Sequence, residues 1–213
     1  TSDLDAWVKL LGEMAAAAGA PLDKPRLYDL FYQKALEGEP DCGGLVNINY
    51  YSGEPVTGLA DGRPLFVRRP DAKLTLANFA RAQLYSTMAA LKTGMDILFE
   101  REHVRLDTPY GHGGLFKTPV VGQRLLAGAL NVPVAVLETA GEGGPWGMAL
   151  LALYMKHRTA DETLGAFLAA HVFGTAKGHT EQPLPEDTAG FAAFLNGYTR
   201  CLAAEQAAVD ALN

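Results

Sequence analysis

Cysteine is nearly absent: Cys42 and Cys201 are the only two in 213 residues. Two thiols make neither a disulfide framework nor a cysteine-based metal pattern, which points to a reducing, cytoplasmic setting. Concentrated positive charge is also missing. The net charge is −6, and Arg68-Arg69 is the one basic cluster, so a nucleic-acid partner lacks its electrostatic footprint. Long apolar runs are missing too. The longest, Met148 to Met155, falls far short of the ~20 residues of a membrane span. The N-terminus reads as an acidic amphipathic helix rather than a signal peptide. The five histidines are scattered, none paired at i, i+4 and none beside a cysteine; no metal site is expected.

What remains is an ordinary globular composition, 48% apolar and 20% charged, long enough to bury a core without staples. Ser2 and Asp5 have capping-box spacing and open a helix to about Ala18, with Trp7, Leu10, Leu11 and Met14 as its apolar stripe. A second helix runs from Arg26 to Leu36. Leu45 to Tyr51 alternates, Val46, Ile48 and Tyr50 against Asn47 and Asn49, as a half-buried strand does. Leu65-Phe66-Val67 is a short β-prone piece. The longest helix is expected from about Leu76 to Phe99, packed across a sheet. Asp161-Glu162 reads as the cap of a further helix, Gly174 to Pro185 as a loop, and Thr188 to Leu212 as the final helix.

The organising stretch lies between His103 and Met155. An apolar run ends at Gly111, Gly113 and Gly114, and a helix opens after Thr118-Pro119, residues suited to N-cap and N1. A second run, Val132 to Leu137, ends at Gly141, Gly143 and Gly144, with a helix opening at Pro145. Two such units in succession predict a parallel sheet with ligand-facing loops at its strand ends. Glycines there let backbone approach a ligand, and helix N-termini favour anions. Lys117 would sit where a helix dipole disfavours a cation, so a nearby anion would help explain it. Equally, the glycines satisfy a tight turn and Lys117 lies in solvent. Trp146 could flank a flat ring or pack in the core. The spacing is neither a Walker P-loop nor a Rossmann fingerprint. Ser52 lacks a nucleophile-elbow context, and Asp41, Glu54, Asp61 and Asp71 read as loop carboxylates, so no general base stands out.

These turns resemble the C-terminal domain of the FGGY carbohydrate kinases, the family of glycerol, xylulose, ribulose and gluconate kinases. The likeness rests on Gly113-Gly114-Leu115-Phe116-Lys117-Thr118-Pro119, then Gln123, Val132-Pro133-Val134, and Gly143-Gly144-Pro145-Trp146-Gly147-Met148-Ala149. Upstream, Tyr50-Tyr51-Ser52-Gly53-Glu54-Pro55 resembles the family's Y-x-S-G-E-R-x-P segment, and Asn78-Phe79-Ala80-Arg81-Ala82 the start of a signature helix. Departures are Leu115 for a third glycine, Thr118 for serine, Pro55 for arginine, and Gln83 and Tyr85 where the pattern carries a small or aliphatic residue and an acid. They indicate a divergent branch near the pentulose kinases (xylulokinase, ribulokinase).

The resemblance implies an α/β, ribonuclease-H-like (actin-like ATPase) domain, a mixed sheet flanked by helices with helical insertions. Residues 1–40 would be a helical lead, 41–157 the α/β core and 158–213 a helical tail. It implies ATP and Mg2+ as cofactors of the full-length enzyme, an N-terminal kinase domain as partner, a sugar bound mainly by that other half, and a homodimer as one assembly. The family's DxGTxS turn and catalytic aspartate belong to the first half and do not occur here, so no catalytic residue and no activity are expected of this chain alone. Nucleotide contacts are expected from Gly113, Gly114, Leu115, Lys117, Thr118 and Gln123, with His112, Gly143 and Gly144 as further candidates. The alternatives are a non-catalytic actin-like module that binds nucleotide or protein, and a generic α/β domain whose glycine turns are structural.

Overall fold

The computed structural model describes residues 2–138, 143–173 and 177–212. Helices α1 (Ser2–Ala17) and α2 (Lys24–Leu36) lead into strands β1 (Leu45–Ile48) and β2 (Leu65–Arg68). Helix α3 (Leu76–Asp96) follows, closed by a π-helical turn Ile97–Arg101, then α4 (Val121–Leu130) and β3 (Val134–Leu137). The chain finishes with α5 (Gly143–His157), the short α6 (Leu164–Leu168), β4 (Gly178–Glu181) and α7 (Pro185–Ala211). No helix among the described residues is long and apolar enough to cross a membrane.

The sheet is smaller than expected and not chiefly parallel. β1 pairs antiparallel with β2, Val46 opposite Val67, and β3 pairs antiparallel with β4, Val136 opposite His179. Among the described residues parallel pairing is confined to one bridge, Tyr110 to Ala135, in which Gly111 N–H donates to Ala135 O (2.8 Å) and Ala135 N–H to Pro109 O (3.0 Å). The expected strand before Gly111 is reduced to this bridge: Pro109 has no N–H to offer a ladder. Conversely β4, Gly-His-Thr-Glu, lies inside the expected loop. It has almost no apolar content, and its Gly178–Thr180 stretch is exposed; backbone pairing to the edge of β3, not burial, makes it a strand.

Helix α3 is the axis of the core. Nearly every residue from Ala80 to Ala89 is buried, because α2, α4, α7 and β1 enclose it. Phe79 meets Trp7 of α1, Phe31 of α2 and Phe66 of β2 edge-on, at 5.1, 6.1 and 5.3 Å between ring centroids. Such pairs add about 0.5–1.5 kcal/mol each beyond the area they bury. Tyr85 stands edge-on to Phe191 of α7 at 4.8 Å. Gln83 is buried with neither amide atom hydrogen-bonded among the described residues. At 27 residues α7, not the 21-residue α3, is the longest helix described.

Several local expectations shift by half a turn or a face. In α1 the fully buried residues are Asp3, Leu4 and Val8; of the expected stripe Trp7 and Leu11 pack against the core, while Leu10 and Met14 are exposed. The Asp5 carboxylate takes the Tyr28 hydroxyl, and no capping-box bond joins Ser2 and Asp5 among the described residues. In β1 both faces are covered: Asn47 is buried, donating to Asp3 Oδ2 (3.0 Å) and Ser86 Oγ (3.2 Å). Helix α6 is capped by Thr163, which accepts from Ala166 N–H (3.2 Å), rather than by Asp161-Glu162. Helix α5 is apolar yet has no buried residue, with Met148, Leu151 and Met155 at 68%, 50% and 79% exposure.

One buried carboxylate yields a pH test. Glu205 of α7 is fully buried, takes Arg63 N–H on Oε1 (2.6 Å), and leaves Oε2 without a hydrogen-bond partner among the described residues. Burial pushes its carboxyl above the ordinary range, and the Arg63 contacts only partly offset this. A raised folded-state value means the native state holds a proton that the unfolded chain has released. Its contribution is therefore complete below the ordinary carboxylate range and lost as pH rises through the raised value. Denaturant unfolding across that window should show stability falling with pH in the parent and a flatter profile in Glu205→Gln; matching slopes would refute this.

Candidate functional site

The glycine turn is built differently from a simple helix cap. Gly113, at φ 90° and ψ −166°, occupies backbone space essentially reserved for glycine. Residues Gly114–Phe116 then tighten into a 3-10 turn, with Phe116 N–H to Gly113 O (3.1 Å) and Lys117 N–H to Gly114 O (3.3 Å). This postpones the helix, so Thr118 and Pro119 are not N-cap and N1. Val120 takes the N-cap position at φ 72°, a strained setting for a β-branched side chain that costs roughly 1–3 kcal/mol. Leu115 fastens the turn to α4. Its carbonyl oxygen lies 2.5 Å from where a Cβ on Gly122 would be, so only glycine admits this approach. Leu115, at the expected third-glycine position, is itself partly buried against the core.

Beside this turn opens a cleft of about 720 Å³, of the size of small-ligand sites. Gly114, Leu115, Lys117 and Thr118 form one wall, and Leu4, Lys24, Pro25, Tyr28, Asp29 and Tyr32 the other. Four of the expected nucleotide residues therefore share one cavity, and Gly113 sets the entry to their turn. Gln123 is elsewhere. Its side-chain amide donates to Val134 O (3.3 Å) and His179 O (2.7 Å), pinning α4 to β3 and β4. His112, Gly143 and Gly144 also lie outside the cleft lining. His112 stacks on Trp146 at 6.4 Å, and a Cβ on Gly143 would come within 2.8 Å of the His112 Cβ. Gly141 lies outside the described residues.

The second wall was not anticipated as part of a site. Lys24, Tyr28 and Tyr32 recur every four residues along α2, a line on one helix face, and that spacing was the available signal. Asp5 of α1 ties this wall together. It accepts the Tyr28 hydroxyl (2.7 Å) and pairs with Lys24 Nζ (2.7 Å). Hydrogen bonds from Lys24 and then Tyr28 hold the Asp5 carboxyl below its usual range. Burial first, and the Asp5 contact second, push the Tyr28 hydroxyl up. Asp29 accepts from Arg26 Nη1 and Gln33 Nε2, both at 3.2 Å. Lys117 is exposed and makes no ion pair among the described residues. The cleft therefore offers an aromatic and aliphatic face, a backbone turn that a ligand can approach closely, and one uncommitted ammonium. No group of His, Cys, Asp or Glu among the described residues could hold a metal ion.

The sequence model of the FGGY family of carbohydrate kinases, C-terminal domain, matches residues 1–155. The chain belongs to this FGGY family. No curated protein sequence matches it, but solved structures do. The chain is similar to the xylulose kinase from Rhodospirillum rubrum (TM-score 0.64, 17% identity, 94% of this chain and 38% of that one). It is similar to the gluconate kinase from Lactobacillus acidophilus (TM-score 0.63, 20% identity, 82% and 34%). A Plasmodium falciparum glycerol kinase with ADP matches at TM-score 0.59 and 14% identity, covering 86% and 34%. At these identities the likeness is one of fold, the sugar-kinase, actin-like ATPase fold. The chain spans little more than a third of each of these FGGY kinases.

Proposed function

We propose that this FGGY domain is the nucleotide-holding C-terminal half of an ATP-dependent sugar kinase acting on a ketopentose or a related sugar. The observation that carries the reading is the convergence of Gly114, Leu115, Lys117 and Thr118 on one cleft facing Tyr28 and Tyr32. In this reading the base and ribose lie along the aromatic wall. The phosphates run past the Gly114 backbone toward Lys117, where an anion answers a lysine without a partner among the described residues. Phosphoryl transfer is mostly positioning and charge stabilisation, and this half contributes positioning. No cluster of three or more His, Cys, Asp or Glu occurs among the described residues, and no step is routed through Mg2+, which sugar kinases hold largely through the nucleotide phosphates. The xylulose kinases among the neighbours support a ketopentose. The exposed apolar α5 supports a further domain, because a helix apolar all round is normally enclosed.

Calorimetry on the chain with ATP and ADP should give saturable binding. Lys117→Ala should weaken it by about tenfold, the loss of one charge-assisted contact. No turnover of xylulose or ribulose is expected from the chain alone, since it brings neither a base nor a complete sugar pocket. Absence of any nucleotide binding would overturn the nucleotide reading, and robust sugar phosphorylation by the chain would overturn the division of labour.

A further inference from the structure

A second cleft, of about 480 Å³, lies between the β1–β2 hairpin and α7 and shares no lining residue with the nucleotide cleft. Its floor is the cross-strand pair Val46 and Val67. Helix α7 lies close over it at Gly197, where a Cβ would stand 3.2 Å from Val46 Cγ2. Three arginines are among the lining residues: Arg68 at the end of β2, Arg69 just beyond it, and Arg200 one turn beyond Gly197. Arg69 pairs with Asp71 (3.2 Å). Arg68 and Arg200 make no ion pair among the described residues. The one acid in the lining, Asp41, already accepts Gly43 N–H (2.9 Å).

This is an unbalanced arrangement in a chain of net charge −6. Asp71 answers Arg69, whereas Arg68 and Arg200 have no ion-pair partner among the described residues, and the planar forks of arginine match the oxygens of phosphate groups. A cavity of this volume admits a small molecule and is too confined for a polymer surface. Its two sides also differ in origin. The hairpin lies within residues 1–155, matched by the family model, whereas Arg200 comes from the helix beyond them. The site is therefore assembled by this chain's own tail.

From these residues we infer that the cleft between β1–β2 and α7 is a second ligand site, taking a small phosphorylated metabolite through Arg68, Arg69 and Arg200. It stands independently of the kinase reading. The two sources of the shared chemistry, an inorganic polyphosphate and a sugar phosphate, are separated by their probes.

The test is calorimetry of the full chain with pyrophosphate and with ribose 5-phosphate, with a nucleotide analogue present and absent. Saturable binding of either probe is expected, undiminished by the analogue. Pyrophosphate alone would identify a diphosphate site, and ribose 5-phosphate binding tighter than pyrophosphate would show that the cavity also takes the sugar. Arg68→Ala and Arg200→Ala should each weaken binding by about tenfold. Asp41→Asn, which keeps an oxygen for Gly43 N–H, should tighten it several-fold. Both arginines are exposed, so the variants should melt like the parent. Binding of neither probe, unchanged affinity in the double arginine variant, or loss of binding when the analogue is added would each overturn the proposal.

Discussion

Asp187→Ala is expected to lower the stability of the chain by about 3–5 kcal/mol, the usual cost of stranding one member of a buried ion pair. Asp187 sits in the first turn of α7 and is 1% exposed. Its Oδ1 takes Arg81 Nη1 (3.1 Å) and its Oδ2 takes Arg124 Nε (2.8 Å). The two arginines are not equivalent. Arg124 is 29% exposed and can turn to water, whereas Arg81 is 1% exposed and would keep its Nε bond to Ala35 O and its place over the Tyr85 ring, with no anion to answer its charge. The penalty is therefore that of a guanidinium buried in the centre of α3. Against a typical total of roughly 5–15 kcal/mol, the variant should be marginal at room temperature. Urea unfolding followed by circular dichroism measures the loss. A control isolates the cause: Arg81→Met with Asp187→Leu removes both charges and should recover most of the stability, because such pairs are often replaceable by apolar residues. A loss below about 1 kcal/mol in Asp187→Ala would mean Arg81 is hydrated after all.

That network also marks what was legible in the sequence. Helices α2, α3 and α7 were readable because a helix packing against a core repeats its apolar residues about every third or fourth position. Strands β1 and β2 were readable from β-branched and aromatic residues between turn signals. Partnered polar groups were not readable. Asp3, Asn47, Ser86, Arg81 and Asp187 look like surface residues in one dimension and are buried in three, because each finds its partner 39 to 106 residues away. The same blindness turned Leu10 and Met14 into an inward stripe, although Asp3 and Val8 face the core. Strand β4 was invisible because its existence depends on the edge of β3 and not on its own composition. The motif of the glycine turn carried the family, and four of its residues line one cleft. The opposite wall of that cleft was not legible, because no motif links Tyr28 to Gly114 across 86 positions; only packing does.

Gly113→Ala should separate the turn's conformational requirement from its chemistry. With φ 90° and ψ −166°, an alanine there meets its own backbone rather than any neighbour, since a Cβ at Gly113 has open space around it. The strain is of order 1–3 kcal/mol. The chain can keep the geometry and lose that stability, or relax the turn. Relaxation moves the Gly113 carbonyl that anchors Phe116 N–H (3.1 Å), and with it the Gly114–Thr118 wall of the cleft. Nucleotide affinity should then fall about tenfold, equivalent to ~1.4 kcal/mol. Gly114→Ala is the companion. Gly114 has ordinary φ and open space at its Cβ position, so this variant should unfold within about 0.5 kcal/mol of the parent. Any loss of nucleotide binding there reports a methyl group placed where a phosphate must approach backbone. Thermal melts and nucleotide titrations of the two variants form a crossed test. Gly113→Ala should lose both stability and affinity, and Gly114→Ala affinity alone. Parental affinity in both would leave the turn a structural bend, with recognition resting on the α2 wall, where Tyr28 and Lys24 are already held in place by Asp5.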